Sequence, residues 1–155
     1  RGISLVETLK LADGTNTVVT GATAFASGLV NLTGGTGADA VTLHDSLVAY
    51  GITAGADVIT FTALYDGGLT MTDAVTATTD QRIKFDAFQD STTTWGAAES
   101  GAAAVNAADK WFFSTGVLTI WNENAATPGA VTITLVGATV VADGGNAGSL
   151  TLDVA

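Results

Sequence analysis

A chain of 155 residues with 15 acidic against 5 basic side chains, net charge −10, has no positive surface to neutralise nucleic-acid phosphates or to dock on an anionic membrane. No cysteine means no disulfide framework, and with a single histidine the usual zinc sites are excluded as well. Hydrophobic residues reach 47% and charged ones only 13%, the balance being Thr, Ala and 19 Gly without a collagen period, which is the composition of short strands joined by tight turns.

No apolar run has the length of a membrane span. The opening RGISLVETLK carries neither an initiator Met nor a signal peptide. The expectation is therefore a piece of a longer product, or a protein exported without an N-terminal signal. The runs NTVVT (16–20) and GLVNLT (28–33), separated by DGT and ASG, read as short strands with tight turns.

GGTGADAVTL (34–43) follows. Its glycines permit positive φ, Asp39 brings a carboxylate to the edge of the turn, and Val41 and Leu43 share one face of an extended strand. A carboxylate in such a turn, directly before a strand, suggests a metal ion clipping the turn. The pattern returns at 52–61: Gly37 falls on Gly55, Ala38 on Ala56, Asp39 on Asp57, Val41 on Ile59, Thr42 on Thr60 and Leu43 on Phe61, while Ile52 and Thr53 replace Gly34 and Gly35. The unit is the nine-residue repeat G-G-x-G-x-D-x-U-x of the calcium-binding parallel β-roll, and two units return the chain to the same face one strand higher. Asp39 and Asp57 would then stack about 4.8 Å apart. Two carboxylates that close repel unless a divalent cation lies between them. The candidate Ca2+ ligands are Gly34, Thr36, Asp39, Gly55 and Asp57. Asp66, in Asp66-Gly67-Gly68, is either a hairpin residue or a second cation turn. The alternative is a pair of Asp-containing turns without metal.

The segment HDSLVAYGI (44–52) matches no repeat unit and reads as a helical turn or a loose half-coil. His44, Asp45 and Ser46 are adjacent, so their side chains diverge and cannot form the converging bonds of a catalytic triad. No flanking feature selects a glycosidase pair among the many Asp residues, and Gly34–Gly37 lacks the Lys of a phosphate loop. The expectation is that the chain is not an enzyme.

Further on, QRIKFDAF (81–88) alternates with Ile83 and Phe85 on one face, and the Ala-rich stretch 95–109 suits a short helix weakened by Gly101. KWFFSTGVLTIWNEN (110–124) reads as a β-hairpin turning at Ser114-Thr115-Gly116, with Trp111 and Phe113 on one side and Phe112 on the other. AVTITLVGATVV (130–141) is the clearest strand, Val131, Ile133 and Leu135 alternating with Thr132 and Thr134; DGGNAG turns it and SLTLDVA closes the chain. Trp95, Trp111 and Trp121 are candidates for stacking on a cell-surface glycan, against the plainer reading that the core covers them.

These residues together resemble the C-terminal region of RTX proteins, the repeats-in-toxin family exported by bacterial type I secretion, of the surface-layer or surface-adhesin kind. GGTGADAVTL with AGADVITF carries the likeness. ADKWFFSTGVLTIWNENAATPGAVTITLVGA looks like the hairpin-plus-strand cap that follows such rolls, and the end LTLDVA, with Asp153-Val154-Ala155, looks like the acidic-then-apolar terminus of type I substrates. The resemblance spans about residues 30–155. It implies a bacterial, extracellular, calcium-stabilised domain that folds after export.

The expected fold is mostly β with little helix: a short, degenerate calcium-binding β-roll or β-helix over 1–66, then a hairpin-and-strand cap over 67–155 with a secretion-signal-like end, packed as one domain. The expected function is a structural protein of the cell surface that self-associates into a homo-oligomer, lattice or filament, because open roll ends seek strand partners. The alternatives are a non-catalytic RTX secretion and folding domain of a larger exported protein, or a glycan-binding adhesin module.

Overall fold

The computed structural model describes residues 7–21, 24, 26, 28–44, 49–51, 55–62, 69–72, 81–89, 95–96, 98–135, 137, 139–146 and 149–154. Most of the described residues lie in strands and three of them in a 3-10 turn, so the mostly β expectation holds. The strands are β1 (Thr8–Lys10), β2 (Thr17–Val19), β3 (Asn31–Thr33), β4 (Ala40–Leu43), β5 (Ala49–Gly51), β6 (Val58–Thr62), β7 (Leu69–Thr72), β8 (Gln81–Asp86), β9 (Trp111–Ser114), β10 (Val117–Asn122), β11 (Gly129–Leu135), β12 (Val140–Asn146) and β13 (Ser149–Val154).

Through β8 the strands enter two sheets in strict alternation. One sheet runs β1-β3-β5-β7-β11-β10-β9, the other β12-β13-β8-β6-β4-β2. The joins among β1, β3, β5, β7 and β11, and among β2, β4, β6 and β8, are parallel. A chain that always returns in the same sense to alternate sheets is wound as a flattened roll, each coil lying on the one before. The two outermost joins at the far end of each sheet are antiparallel and close the roll with hairpins.

The side-chain period of two sends every second residue inward. Parallel register then stacks like on like, with Val41, Ile59 and Ile83 in one inward row and Leu43, Phe61 and Phe85 in another, and antiparallel β13 extends them with Leu152 and Leu150. From the opposite sheet Leu32, Leu118, Ile120, Ile133 and Leu135 meet them in one core. Phe61 and Phe85 stack with ring centres 5.3 Å apart, and Phe88 meets Phe85 edge-on at 5.0 Å.

Several sequence expectations change in the folded chain. The parallel ladder runs past residue 66 to β8. The unmatched segment after His44 includes β5, held between β3 and β7. In the Ala-rich stretch the described residues form one 3-10 turn, Ala102–Ala104, because Gly96 and Gly101 break the run too often for a helix to nucleate. The long strand at 130–141 divides: β11 ends at Leu135, Gly137 takes φ +73°, and the chain crosses to the other sheet as β12. Asp143-Gly144-Gly145-Asn146 lies inside β12, with a bulge between Ala142 and Gly144, rather than forming the turn.

The hairpin between β9 and β10 turns at Thr115 (φ 49°) and Gly116 (φ 77°), positive at both central positions as a type I′ turn requires. A β-branched residue is strained there. Thr115→Asn is expected to stabilise the protein by about 1 kcal/mol, read as a higher urea midpoint at unchanged slope.

Candidate metal centre

The entry to each of the four parallel strands of the second sheet carries one residue of a column: Asn16 before β2, Asp39 before β4, Asp57 before β6, and Gln81 opening β8. Backbone bonds lock the levels together, Ala40 N–H to Asn16 O at 2.9 Å, Val58 N–H to Asp39 O at 2.8 Å and Arg82 N–H to Asp57 O at 2.8 Å. Glycine makes this stacking possible. A Cβ on Gly37 would lie 2.3 Å from the carbonyl of Gly14, and one on Gly55 would lie 2.3 Å from the carbonyl oxygen of Gly37. The turns therefore rest backbone on backbone, and the carboxylates follow at the spacing of 18 residues that the repeat implies.

The two carboxylates are buried but unequally served. Asp39 Oδ1 accepts from Asn16 N–H (3.0 Å) and from the Asn16 amide (2.8 Å), and its Oδ2 accepts from Gly35 N–H (3.0 Å). Among the described residues, Asp57 Oδ1 accepts from Asp39 N–H alone, at 2.9 Å. Its Oδ2 is buried with no hydrogen-bond partner among the described residues. Burial pushes the Asp57 carboxyl above the ordinary value; the Asp39 N–H bond pulls the other way, and the neighbouring Asp39 charge adds to the rise.

A buried carboxylate with an unserved oxygen beside a second carboxylate needs a proton or a cation. The donor set is all oxygen, two carboxylates and the turn carbonyls, which suits a hard cation such as Ca2+. Among the described residues no three His, Cys, Asp or Glu side chains converge, so carbonyl and water oxygens would have to complete the shell. Asp39 and Asp57 would hold the ion, and the stacked turns set their separation.

The stacking brings Gly37 and Asp39 of one turn beside Gly55 and Asp57 of the next, while Gly34 is buried in the turn that carries Asp39. Thr36 is exposed, and its N–H donates to Asp13 Oδ1 at 3.3 Å, an outer clasp between the first two turns. Asp66 lies outside the described residues. Sequence reasoning missed Asn16 and Gln81. The signal for Asn16 was present: Gly14-Thr15-Asn16 before Thr17-Val18-Val19 repeats Gly37-Ala38-Asp39 before Ala40-Val41-Thr42, but at a separation of 23 residues instead of 18.

His44 occupies a rung at the opposite ends of these strands. Its N–H donates to Thr20 Oγ1 at 3.1 Å, and its Nδ1 shares a hydrogen bond with Thr62 Oγ1 at 2.9 Å. Asp45 and Ser46 lie outside the described residues.

Trp111 is a core residue, its indole N–H bonded to Gly96 O at 3.1 Å, so it offers no exposed face to a sugar. Trp95 packs against the core half-buried. Trp121 is half-buried on the outer side of β10, the side away from Leu118 and Ile120. The chain matches no protein-family model, no curated protein and no solved structure.

Proposed function

We propose that the chain is a non-catalytic, calcium-stabilised structural module of the bacterial cell surface that self-assembles through the open end of its roll. The carrying observation is the state of the first coil. β1 and β2 are the terminal strands of their sheets, with no further strand beyond them among the described residues. Leu9 shares its rung with Leu32, which is 1% exposed, yet Leu9 itself is 37% exposed because nothing described lies beneath it. Unpaired strand edges over the exposed end of a core are a template for strand addition.

Strand direction supports the same reading. Two antiparallel joins in each sheet bring β9 back to the sense of β1, and β12 back to the sense of β2. A second copy displaced along the roll axis therefore presents correctly directed strands to both open edges. Such a head-to-tail contact does not close on itself and builds a filament. The far end is partly sheltered, since Glu99 N–H bonds Trp111 O on β9 and β12 carries its bulge, so the first coil is the end to block.

Asn31 N–H bonds Glu7 O and Leu11 N–H bonds Thr33 O. Parallel ladders alternate, so the N–H and C=O of Thr8 and Lys10 point away from β3. Thr8→Pro removes an outward donor and spares the inner ladder. Light scattering is expected to grow in millimolar calcium for the unmodified protein and to fall after chelation. Thr8→Pro should stay monomeric with an unchanged melting temperature. If the unmodified protein is monomeric in both conditions, self-assembly is wrong. The open coil then favours the second reading, a folding and secretion module on which further coils of a larger exported protein stack.

A further inference from the structure

The column of strand-entry residues reads amide, carboxylate, carboxylate, amide: Asn16, Asp39, Asp57, Gln81. The Asn16 Nδ2 lies 2.8 Å from Ala12 O, 2.9 Å from Gly14 O and 2.8 Å from Asp39 Oδ1. One nitrogen thus gathers two turn carbonyls and the carboxylate of the coil above. Turn carbonyls and carboxylates are also the oxygens that a calcium ion gathers.

One level higher, register carries Ala12 to Gly35 and Gly14 to Gly37, and a Cβ on either upper glycine would collide with the backbone of its lower counterpart. The carboxylate above is now that of Asp57, and Asp39 stands in place of the amide. The side chain in the column has changed from a donor to an acceptor, so it cannot bridge these oxygens with N–H groups. This is also the level with the unserved oxygen: Asp57 is 0% exposed and its Oδ2 has no partner among the described residues. At the far side of the pair, Gln81 Nε2 donates to Gly55 O at 3.4 Å, again an amide on a turn carbonyl.

We propose that Asn16 and Gln81 are built-in substitutes for cations, which confine a bound divalent ion to the single level between Asp39 and Asp57 and so limit the chain to one ion in this column. The proposal rests on the calcium reading above. A neutral amide supplies N–H groups to the oxygens where a second and third ion would otherwise sit. The coil at the open end is thereby held without metal, while the coil above it depends on metal.

The test counts calcium by equilibrium dialysis of the full chain, with thermal melts in parallel. The unmodified protein should bind one ion, Asn16→Asp and Gln81→Glu two each, and Asp57→Asn none. Chelated Asn16→Asp should melt below the unmodified protein and recover when calcium is added. A count of one in the unmodified protein and in both acidic variants overturns the confinement while leaving the calcium reading standing. More than one ion in the unmodified protein does the same. No calcium bound by the unmodified protein removes the calcium reading, and this proposal with it. If Asn16→Asp fails to fold even in millimolar calcium, Gln81→Glu decides, and a count of one there is fatal to the idea.

Discussion

Adding calcium to the chelated protein is expected to raise its melting temperature by roughly 5–10 °C at about a hundredfold excess over the dissociation constant. Linkage sets the scale. A ligand that binds only the folded state adds about 2.7 kcal/mol at that excess, and about 1 kcal/mol moves the midpoint of a domain this size by roughly 2–4 °C. The Asp57 carboxyl makes the effect pH-dependent. Its folded value lies above the ordinary 3.8, so its contribution to stability is fully present below the unfolded value and is lost as pH rises through the folded one. In chelator, stability should therefore fall from acidic towards neutral pH. With calcium the fall is expected to be offset, because a bound ion would take the deprotonated form, which among the described residues receives a single N–H.

Asp57→Asn separates this group from the general repulsion of a chain carrying net charge −10. Its Oδ1 can still accept Asp39 N–H, and no charge is left to neutralise. The variant should be more stable than the unmodified protein in chelator at neutral pH, should lose most of the calcium-induced rise, and should show a flatter pH profile. Melts across the range from about pH 4 to pH 7.5, with and without calcium, check all three. A full calcium-induced rise in Asp57→Asn would place the ion elsewhere.

Replacing Phe85 with alanine is expected to cost about 3–5 kcal/mol, the range for emptying a large aromatic site in a packed core. Phe85 is fully buried, stacked on Phe61 at 5.3 Å and met edge-on by Phe88 at 5.0 Å. Its rung also joins the parallel coils to the closing hairpin, since β8 pairs with β6 on one side and with β13 on the other. Collapse of the cavity is resisted from both directions, because neither neighbour can move without dragging a hydrogen-bonded strand. Urea unfolding should show a much lower midpoint for Phe85→Ala, and Phe85→Leu should recover more than half of the loss. A cost below about 1.5 kcal/mol for the alanine variant would mean that these rows are not closely packed.

The repeat at 34–43 and 52–61 was legible because strand-entry glycine, carboxylate and inward rung recur at one spacing. Register in the folded chain pairs Ala40 with Val58 and Leu43 with Phe61 at that spacing. The adjoining coils were not legible by the same rule. A parallel coil needs matched rungs, but its turns can lengthen without disturbing them, since added loop residues cost little. Asn16 and Gln81 therefore escaped a search at fixed offset. β5 escaped because three residues are too few for alternation to show.

Local pattern was enough to specify the class of fold, a hairpin turning within Ser114-Thr115-Gly116, the apolar faces of β4, β6, β8 and β11, and the two turn aspartates. Each of these depends on contacts within one element or on a repeat of local pattern. The folded chain was needed to see that the ladder runs on to β8, that 130–141 divides between two sheets, and that Trp111 belongs to the core. It alone set Asn16, Asp39, Asp57 and Gln81 in one column. Those outcomes depend on which backbone lies one coil above or below, at a distance of a few ångströms but many residues along the chain. Hydrophobic pattern specifies which way a side chain faces; stacking specifies what it meets there.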